Sequence, residues 1–264
     1  MKIISLGLGV QSTALYLMSS LNKIERADYA IFADTGGEYK HTYQTLKDLK
    51  SWKNKNNGIE ILVTKENNLL KDLLKGENQS GDRFPGIPGF TKQEDESISM
   101  VRRQCTSEYK IKPIIKTLRK LHGLKKYQRM KPTKMYLGIS LDEIQRAKIS
   151  SSYNIDYCYP LIDKRMTRKM CIDFFKKTTL ETPKKSACVF CPFHSNRDWK
   201  RLKEGDHNGW DLAVKVDKAI RNSFIDRGKK GKMYLHNSGK PLNDVYLQED
   251  QEELFMCEEG FCGL

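Results

Sequence analysis

The sequence predicts an α/β fold: a doubly wound, mostly parallel sheet with a small C-terminal, cysteine-containing lobe. Three observations predict it. A short apolar strand runs through a glycine turn into a helical pattern within the first 21 residues. Strand and helix patterns then alternate to about residue 180, which implies parallel strands joined by right-handed crossovers. Beyond that point the alternation stops, and Cys188-x-x-Cys191 and the closing cysteines Cys257 and Cys262 take over. The expected division is 1–180 for a nucleotide-binding domain and 181–264 for a helical, Cys-rich lobe packed on the sheet.

The elements follow in order. Residues 2–6 (KIISL) read as a buried strand, followed by Gly7, Gly9 and Ser12. Leu15, Leu17, Met18 and Leu21 fall at helical spacing. Residues 29–33 form a second strand that ends in Asp34-Thr35-Gly36-Gly37. A helix over 40–55 puts Tyr43, Leu46, Leu49 and Trp52 on one face, and 59–63 is a third strand. Residues 76–99 carry four Gly and two Pro without periodicity. They read as a structureless loop, a feature that is often functional at this length. A helix over 105–121, strands at 135–139 and 158–162, and a helix carrying 170–177 behind an N-capping Thr167 complete the first domain. In the lobe, Cys188 to His194 lie in a loop, and Ser195 or Asn196 caps a helix reaching Lys203. A second helix covers 210–224, and 233–235 is a short apolar stretch.

The 264 residues suffice to bury a core without disulfide staples. Hydrophobic residues are 38% and charged residues 30%, while 9% aromatics separate the chain from disordered compositions. Lys and Arg number 47 against 33 Asp and Glu, a net charge of +14. That excess points to an anionic partner, whether nucleotide, nucleic acid or acidic protein. A lysine-rich composition set by an A/T-rich genome would give the same number. No segment approaches the roughly 18 apolar residues of a membrane span, and no signal-peptide pattern opens the chain. The expectation is a soluble, cytoplasmic protein with no membrane partner. Seven cysteines at uneven spacing favour free thiols or metal ligands over disulfides in a reducing compartment.

The glycine turn after the first strand presents backbone N–H groups to an anion, and the following helix adds its positive dipole end. Ser5, Gly7, Gly9, Gln11 and Ser12 are the candidate phosphate contacts. The pattern is neither a Walker A loop nor Gly-x-Gly-x-x-Gly. Asp34, Thr35 and Gly36 fall at the carboxyl edge of the second strand, where open α/β sheets bind ligands. Asp34 there suits a ribose hydroxyl, an adenine amino group or Mg²⁺, or else caps the next helix. The Cys188/Cys191 pair has the spacing of zinc, an iron–sulfur cluster, a redox disulfide or two buried thiols, and His194 extends the zinc option. Cys158 and Cys171 read as small core residues.

Five ordered motifs carry a resemblance. SLGLGVQST is similar to the PP-loop of the adenine nucleotide α-hydrolase superfamily, within its HUP-like fold, and more closely to the phosphoadenylylsulfate (PAPS) reductase-like branch. Gln11 stands where the commoner loop has aspartate. The branch's second motif is matched by Asp34, Thr35, Gly36 and Thr42. Its Cys-x-x-x-x-Lys-x-x-Pro segment is matched by Cys105, Lys110 and Pro113, and GISLDEIQRA and YPLIDKRMTRKMC resemble two further segments.

The resemblance implies chemistry at an α-phosphate of ATP with Mg²⁺, or of a sulfonucleotide in the same pocket. It offers Arg103, Lys110 and Arg146 as cations for the phosphates, and Asp142-Glu143 as a Mg²⁺ site or a helix cap. Cys105 resembles the cluster-ligand position of cluster-bearing sulfonucleotide reductases, where they carry a tandem cysteine pair. With Cys188 and Cys191, and with Cys262 or else Cys257 as the fourth ligand, the expectation is a [4Fe–4S] cluster, with structural zinc as the alternative. The tail resembles the mobile end of thioredoxin-dependent reductases in Cys262-Gly263-Leu264 but lacks their flanking Glu and His. If Cys262 ligates a cluster, only Cys257 remains there as a nucleophile. Three functions stay open. The first is ATP-dependent activation of a nucleic acid (tRNA or DNA) for sulfur transfer from a sulfur-donor protein. The second is sulfonucleotide reduction, and the third a non-catalytic nucleotide-binding accessory of a nucleic-acid complex. The basic stretches 125–134 and 227–232 are the expected nucleic-acid footprint.

Overall fold

The computed structural model describes residues 1–64, 67–78, 81, 84–150, 154–228 and 230–247. The strands are β1 (Lys2–Ser5), β2 (Tyr29–Ala33), β3 (Glu60–Thr64), β4 (Phe90–Lys92), β5 (Ile98–Met100), β6 (Thr133–Leu137), β7 (Ile155–Cys158) and β8 (Lys232–Tyr234). The α-helices are α1 (Val10–Ser20), α2 (Lys40–Asn56), α3 (Leu69–Lys75), α4 (Lys112–Leu121), α5 (Pro160–Asp163), α6 (Arg168–Phe175), α7 (Asn196–Gly205) and α8 (His207–Ile220). The chain divides into two compact units. One comprises Met1–Ala33, His41–Thr64 and Lys112–Ser186; the other comprises Asp34–Lys40, Lys65–Ile111 and the chain from Ala187.

The first unit holds a five-stranded, all-parallel sheet in the order β3-β2-β1-β6-β7, flanked by helices. The chain winds outward from β1 through β2 and β3, then returns to the other side of β1 with β6 and β7. The reversal lies between the carboxyl ends of β1 and β6, where doubly wound sheets open a crevice for ligands. Every residue of α1 is buried. Its sequence, VQSTALYLMSS, has no charged face, as expected of a helix enclosed on all sides. Tyr16 satisfies its hydroxyl by donating to the Ile59 carbonyl at 2.7 Å. Leu15, Leu17, Trp52, Tyr136, Leu161 and Phe175 join Ile4 in one core.

Two expected elements moved. The strand expected at 158–162 is instead β7, ending at Cys158, followed by the helical turn α5. Pro160 explains the change. It sits at the first helical turn, where its fixed φ is already suitable and its missing N–H is not needed. The strand expected at 135–139 starts and ends two residues earlier. Thr167 caps α6 as expected, accepting from the Met170 amide at 3.3 Å.

The second unit draws on residues 34–40 and 65–111 as well as on the chain from Ala187, not on the C-terminal segment alone. Its sheet is antiparallel, in the order β5-β4-β8. The stretch 76–99, expected to be structureless, therefore supplies β4 and the start of β5. β4 is only three residues long, and its partner β8 pairs Phe90 with Tyr234. No local pattern reveals so distant a pairing. Trp199, Phe190, Tyr109 and Leu73 fill the core, and α3 and α7 pack on α8.

Helix starts in this unit follow their caps. Ser195 and Asp198 form a reciprocal capping box for α7, and Asp206 accepts from the Gly209 amide to start α8 three residues before the expected position. The helix expected over 105–121 opens with a π-helical stretch, Thr106–Ile111, before continuing as α4. Among the described residues no helix is long and apolar enough to cross a membrane.

Candidate functional site

In the first unit the chain leaves β1 at Ser5, turns through residues 6–9 and enters α1 with Gly9 as N-cap. No side chain caps this start, and the first turn carries no acid. The first amides of α1 thus keep their capacity for an anion. The left-handed position of the loop is Leu8 (φ 61°), not either glycine. What Gly7 and Gly9 provide is room. A Cβ on Gly9 would meet nothing nearer than the Ser186 Cβ at 4.0 Å, and one on Gly7 nothing nearer than the Ser12 hydroxyl at 3.6 Å. Ser12 donates to the Gly9 carbonyl at 3.3 Å. Gly138, immediately beyond β6, is the opposite case. A Cβ there would lie 2.6 Å from the Ser12 amide nitrogen and Cα, so the end of β6 rests directly on the start of α1.

Gln11 links this loop to two further segments. Its amide oxygen accepts from the Arg168 guanidinium at 3.2 Å, and its amide nitrogen faces the Ser140 hydroxyl at 3.5 Å. Asp142 accepts from the Arg168 backbone amide with both oxygens, at 3.0 and 3.1 Å, so it caps the start of α6. Glu143 bonds Arg146 at 2.7 Å. Burial pushes the Glu143 carboxyl up, against the opposing pull of Arg146. Both carboxylates, and with them Arg146, thus have structural partners. Arg168 was not among the sequence candidates. The available signal was the Arg168-Lys169 pair at a helix start with no acid in that turn, an arrangement the helix dipole disfavours.

The remaining candidates belong to the second unit. Asp34 turns its carboxylate onto the Gly36 amide at 2.9 Å, closing a local turn. Gly36 has φ 83°, and a Cβ there would strike the Asn68 amide group at 2.4 Å, so glycine is required on both counts. Glu38 and Cys188 form an antiparallel bridge, flanked by hydrogen bonds from the Tyr39 amide to Ala187 and from the Val189 amide to Gly37. This pairing sets Cys188 beside the turn. Its sulfur lies 3.1 Å from the Thr35 hydroxyl and donates to Glu38 at 3.8 Å. Lys110 reaches the same Glu38 oxygen at 3.8 Å, and Arg103 lies over the Phe193 ring. Burial pushes the Cys188 thiol well up; Glu38 and Cys105 add to the rise, and Lys110 and Thr35 oppose it. Glu38, 4% exposed, was missed from the sequence, although it follows the Asp-Thr-Gly-Gly turn directly.

His194 lies with its Nε2 3.1 Å from the Tyr39 hydroxyl and 2.9 Å from the Cys188 carbonyl, its ring edge-on to Trp199. The described cysteines are all unbridged. Cys171 is fully buried, and burial pushes its thiol up to about 12, in keeping with a core residue. Among the described residues no group of three or more His, Cys, Asp or Glu side chains is placed to hold a metal ion. Cys257 and Cys262 lie outside the described residues, as does Lys229 of the basic run 227–232. A scan against protein-family models found no match to this chain, and a search of curated proteins found none either.

Proposed function

We propose that the first unit binds an adenine nucleotide through the β1–α1 loop, as a PP-loop enzyme that cleaves ATP, with Mg²⁺, at the α-phosphate. One observation carries the reading. The loop lies at the reversal point of an all-parallel sheet, with uncapped helix amides, open space at Gly9 and the Arg168 guanidinium held against Gln11. In this reading Gly7 and Gly9 admit phosphate oxygens to the backbone, the amides of α1 bond them, and Arg168 meets charge developing on the α-phosphate. The activated acceptor is a nucleic acid, tRNA or DNA, and a sulfur-donor protein supplies the displacing sulfur.

Titration calorimetry with ATP, paired with pyrophosphate release in the presence of tRNA or DNA, tests this. Arg168→Gln is expected to weaken ATP at least tenfold, about 1.4 kcal/mol. Unchanged affinity would remove Arg168 from the site, and absence of ATP binding by the native chain would remove the site. Binding without pyrophosphate release would leave the accessory role.

A sulfonucleotide reductase is the second reading, favoured by Gln11. A neutral amide beside Arg168 leaves the guanidinium charge for a sulfate. Thiol-dependent sulfite release from PAPS or adenylyl sulfate, without pyrophosphate release from ATP, would establish it.

For the cysteines we propose a [4Fe–4S] centre, or zinc, on Cys105, Cys188, Cys191 and Cys262. The support is that Cys105 and Cys188 pack against the same core, and that the Cys191 amide bonds the Cys188 carbonyl at 3.1 Å in a tight turn. Anaerobic purification with iron and zinc determination is expected to find metal in the native chain. Cys188→Ser should abolish it, and Cys171→Ala should leave it unchanged. A metal-free native chain would exclude the centre.

A further inference from the structure

The chain carries 33 acidic residues, yet none falls between Glu108 and Asp142. Within that span α4 packs on β2 and β3 through Ile114 and Leu118. Its outer face exposes Lys112, Lys116 and Lys120 at four-residue spacing. The stripe continues past the helix into Lys125, Lys126, Arg129, Lys131 and Lys134, all exposed. A stretch made only for solubility mixes both signs; from residue 109 to 141 this one carries a single sign, and Glu25 meets it at its end by pairing with Lys134.

The loop also presents an aromatic. Tyr127 is 88% exposed and has φ 69°, a left-handed conformation that strains a bulky side chain. The turn that holds it is firmly built. Arg119 donates to the Lys125 carbonyl at 2.7 Å and to the Gln128 carbonyl at 2.9 Å, and the Gln128 side chain accepts from the Lys125 amide at 2.7 Å. Beyond it, Asn154 donates to the Met130 carbonyl at 2.6 Å. Lys126 stands over the Tyr127 ring at 5.0 Å. A strained backbone, braced from both sides, thus holds a solvent-exposed ring among cations.

We infer that this surface binds single-stranded nucleic acid: the lysines of α4 and the loop track the phosphates, and one base stacks on Tyr127. The inference rests on the nucleic-acid acceptor proposed above and adds the surface and the strandedness. Stacking on an aromatic needs an unpaired base, whereas a duplex offers this surface only its backbone.

The test is fluorescence anisotropy of the full chain with a labelled mixed-sequence single strand, across a salt series. Native binding is expected to fall steeply with salt. Changing Lys112, Lys116 and Lys120 together to alanine should reduce the slope of log K against log salt by about 2, from three lost phosphate contacts. Tyr127→Ala should weaken binding about tenfold and leave that slope in place. Tyr127→Gly should bind as weakly while melting no lower than the native chain, because glycine relieves the left-handed strain; a ring with a merely structural role would lower both. Variants that bind like the native chain would overturn the assignment of this surface and leave the acceptor proposal standing. A native chain that binds no strand even in low salt would overturn both. A preference for duplex, or displacement by polyglutamate or anionic vesicles with no effect of Tyr127→Ala, would reduce the surface to charge alone and overturn the inference.

Discussion

Gly138→Ala is expected to abolish ATP binding and to cost about 1–3 kcal/mol of stability, the usual range for overpacking. The new methyl would lie 2.6 Å from the Ser12 amide nitrogen and Cα. Those are backbone atoms of a helix buried along its whole length, so no side-chain rotation relieves the contact. The other side of the clash cannot yield either, because β6 is paired with β1 and β7 at once. The start of α1 must move, and Gln11 and Ser12 move with it. Denaturant unfolding and ATP calorimetry on one preparation check both parts. A variant matching the native chain in both would show that the contact tolerates a methyl group.

A larger loss of stability is expected from Asp217→Ala, about 3–5 kcal/mol. Asp217 is 2% exposed. Its oxygens accept from the amides of Leu235 at 2.8 Å and Leu242 at 3.1 Å, and it pairs with Arg221 on the next turn of α8. Alanine leaves two enclosed amides and a guanidinium without their acceptor. Asn at this position keeps one acceptor oxygen and should lose less. Burial pushes the Asp217 carboxyl above its ordinary range, against the pull of the two amides and Arg221. The native state therefore holds this proton more tightly than the unfolded chain. The linked stability is complete below the ordinary aspartate value and falls as pH rises through the raised one. Asp217→Asn lacks that fall, so its deficit should be greatest at low pH and narrow as pH rises. A deficit independent of pH would mean that the carboxyl is not raised.

How much the sequence revealed depends on the distance over which each feature is encoded. The β1–glycine–α1 unit and the caps Thr167 and Ser195 are local patterns, and they fold as read. β4 pairs across more than a hundred residues, and nothing within Phe90–Lys92 announces its partner. The candidates Gly7, Gly9 and Ser12 stood out because close approach to the backbone of such a turn demands small residues, and Gln11 through its place in the resembling motif. Arg168 was not, because its meeting with Gln11 depends on where α6 lands. Glu38 was hidden for the same reason: its partners Cys188 and Lys110 come from distant segments of the chain. The cations Arg103, Lys110 and Arg146 were chosen by type and order. The structure gives them a ring, a carboxylate and a neighbouring carboxylate as partners.

The pairing of Phe90 with Tyr234 also governs when this protein can fold. During synthesis, β1, β2 and β3 leave the ribosome in close succession, and β1 and β2, then β3, can associate as soon as they are clear. The antiparallel sheet has no such option. β4 and β5 emerge with one edge unmet, and the strand that completes them is among the last of the described residues to be made. Closing so long a loop is slow and entropically costly, so the nascent chain carries an open strand edge from the emergence of β4 until β8 is made. That interval is when a chaperone has the most to cover and when pairing with a neighbouring chain competes best with the native partner.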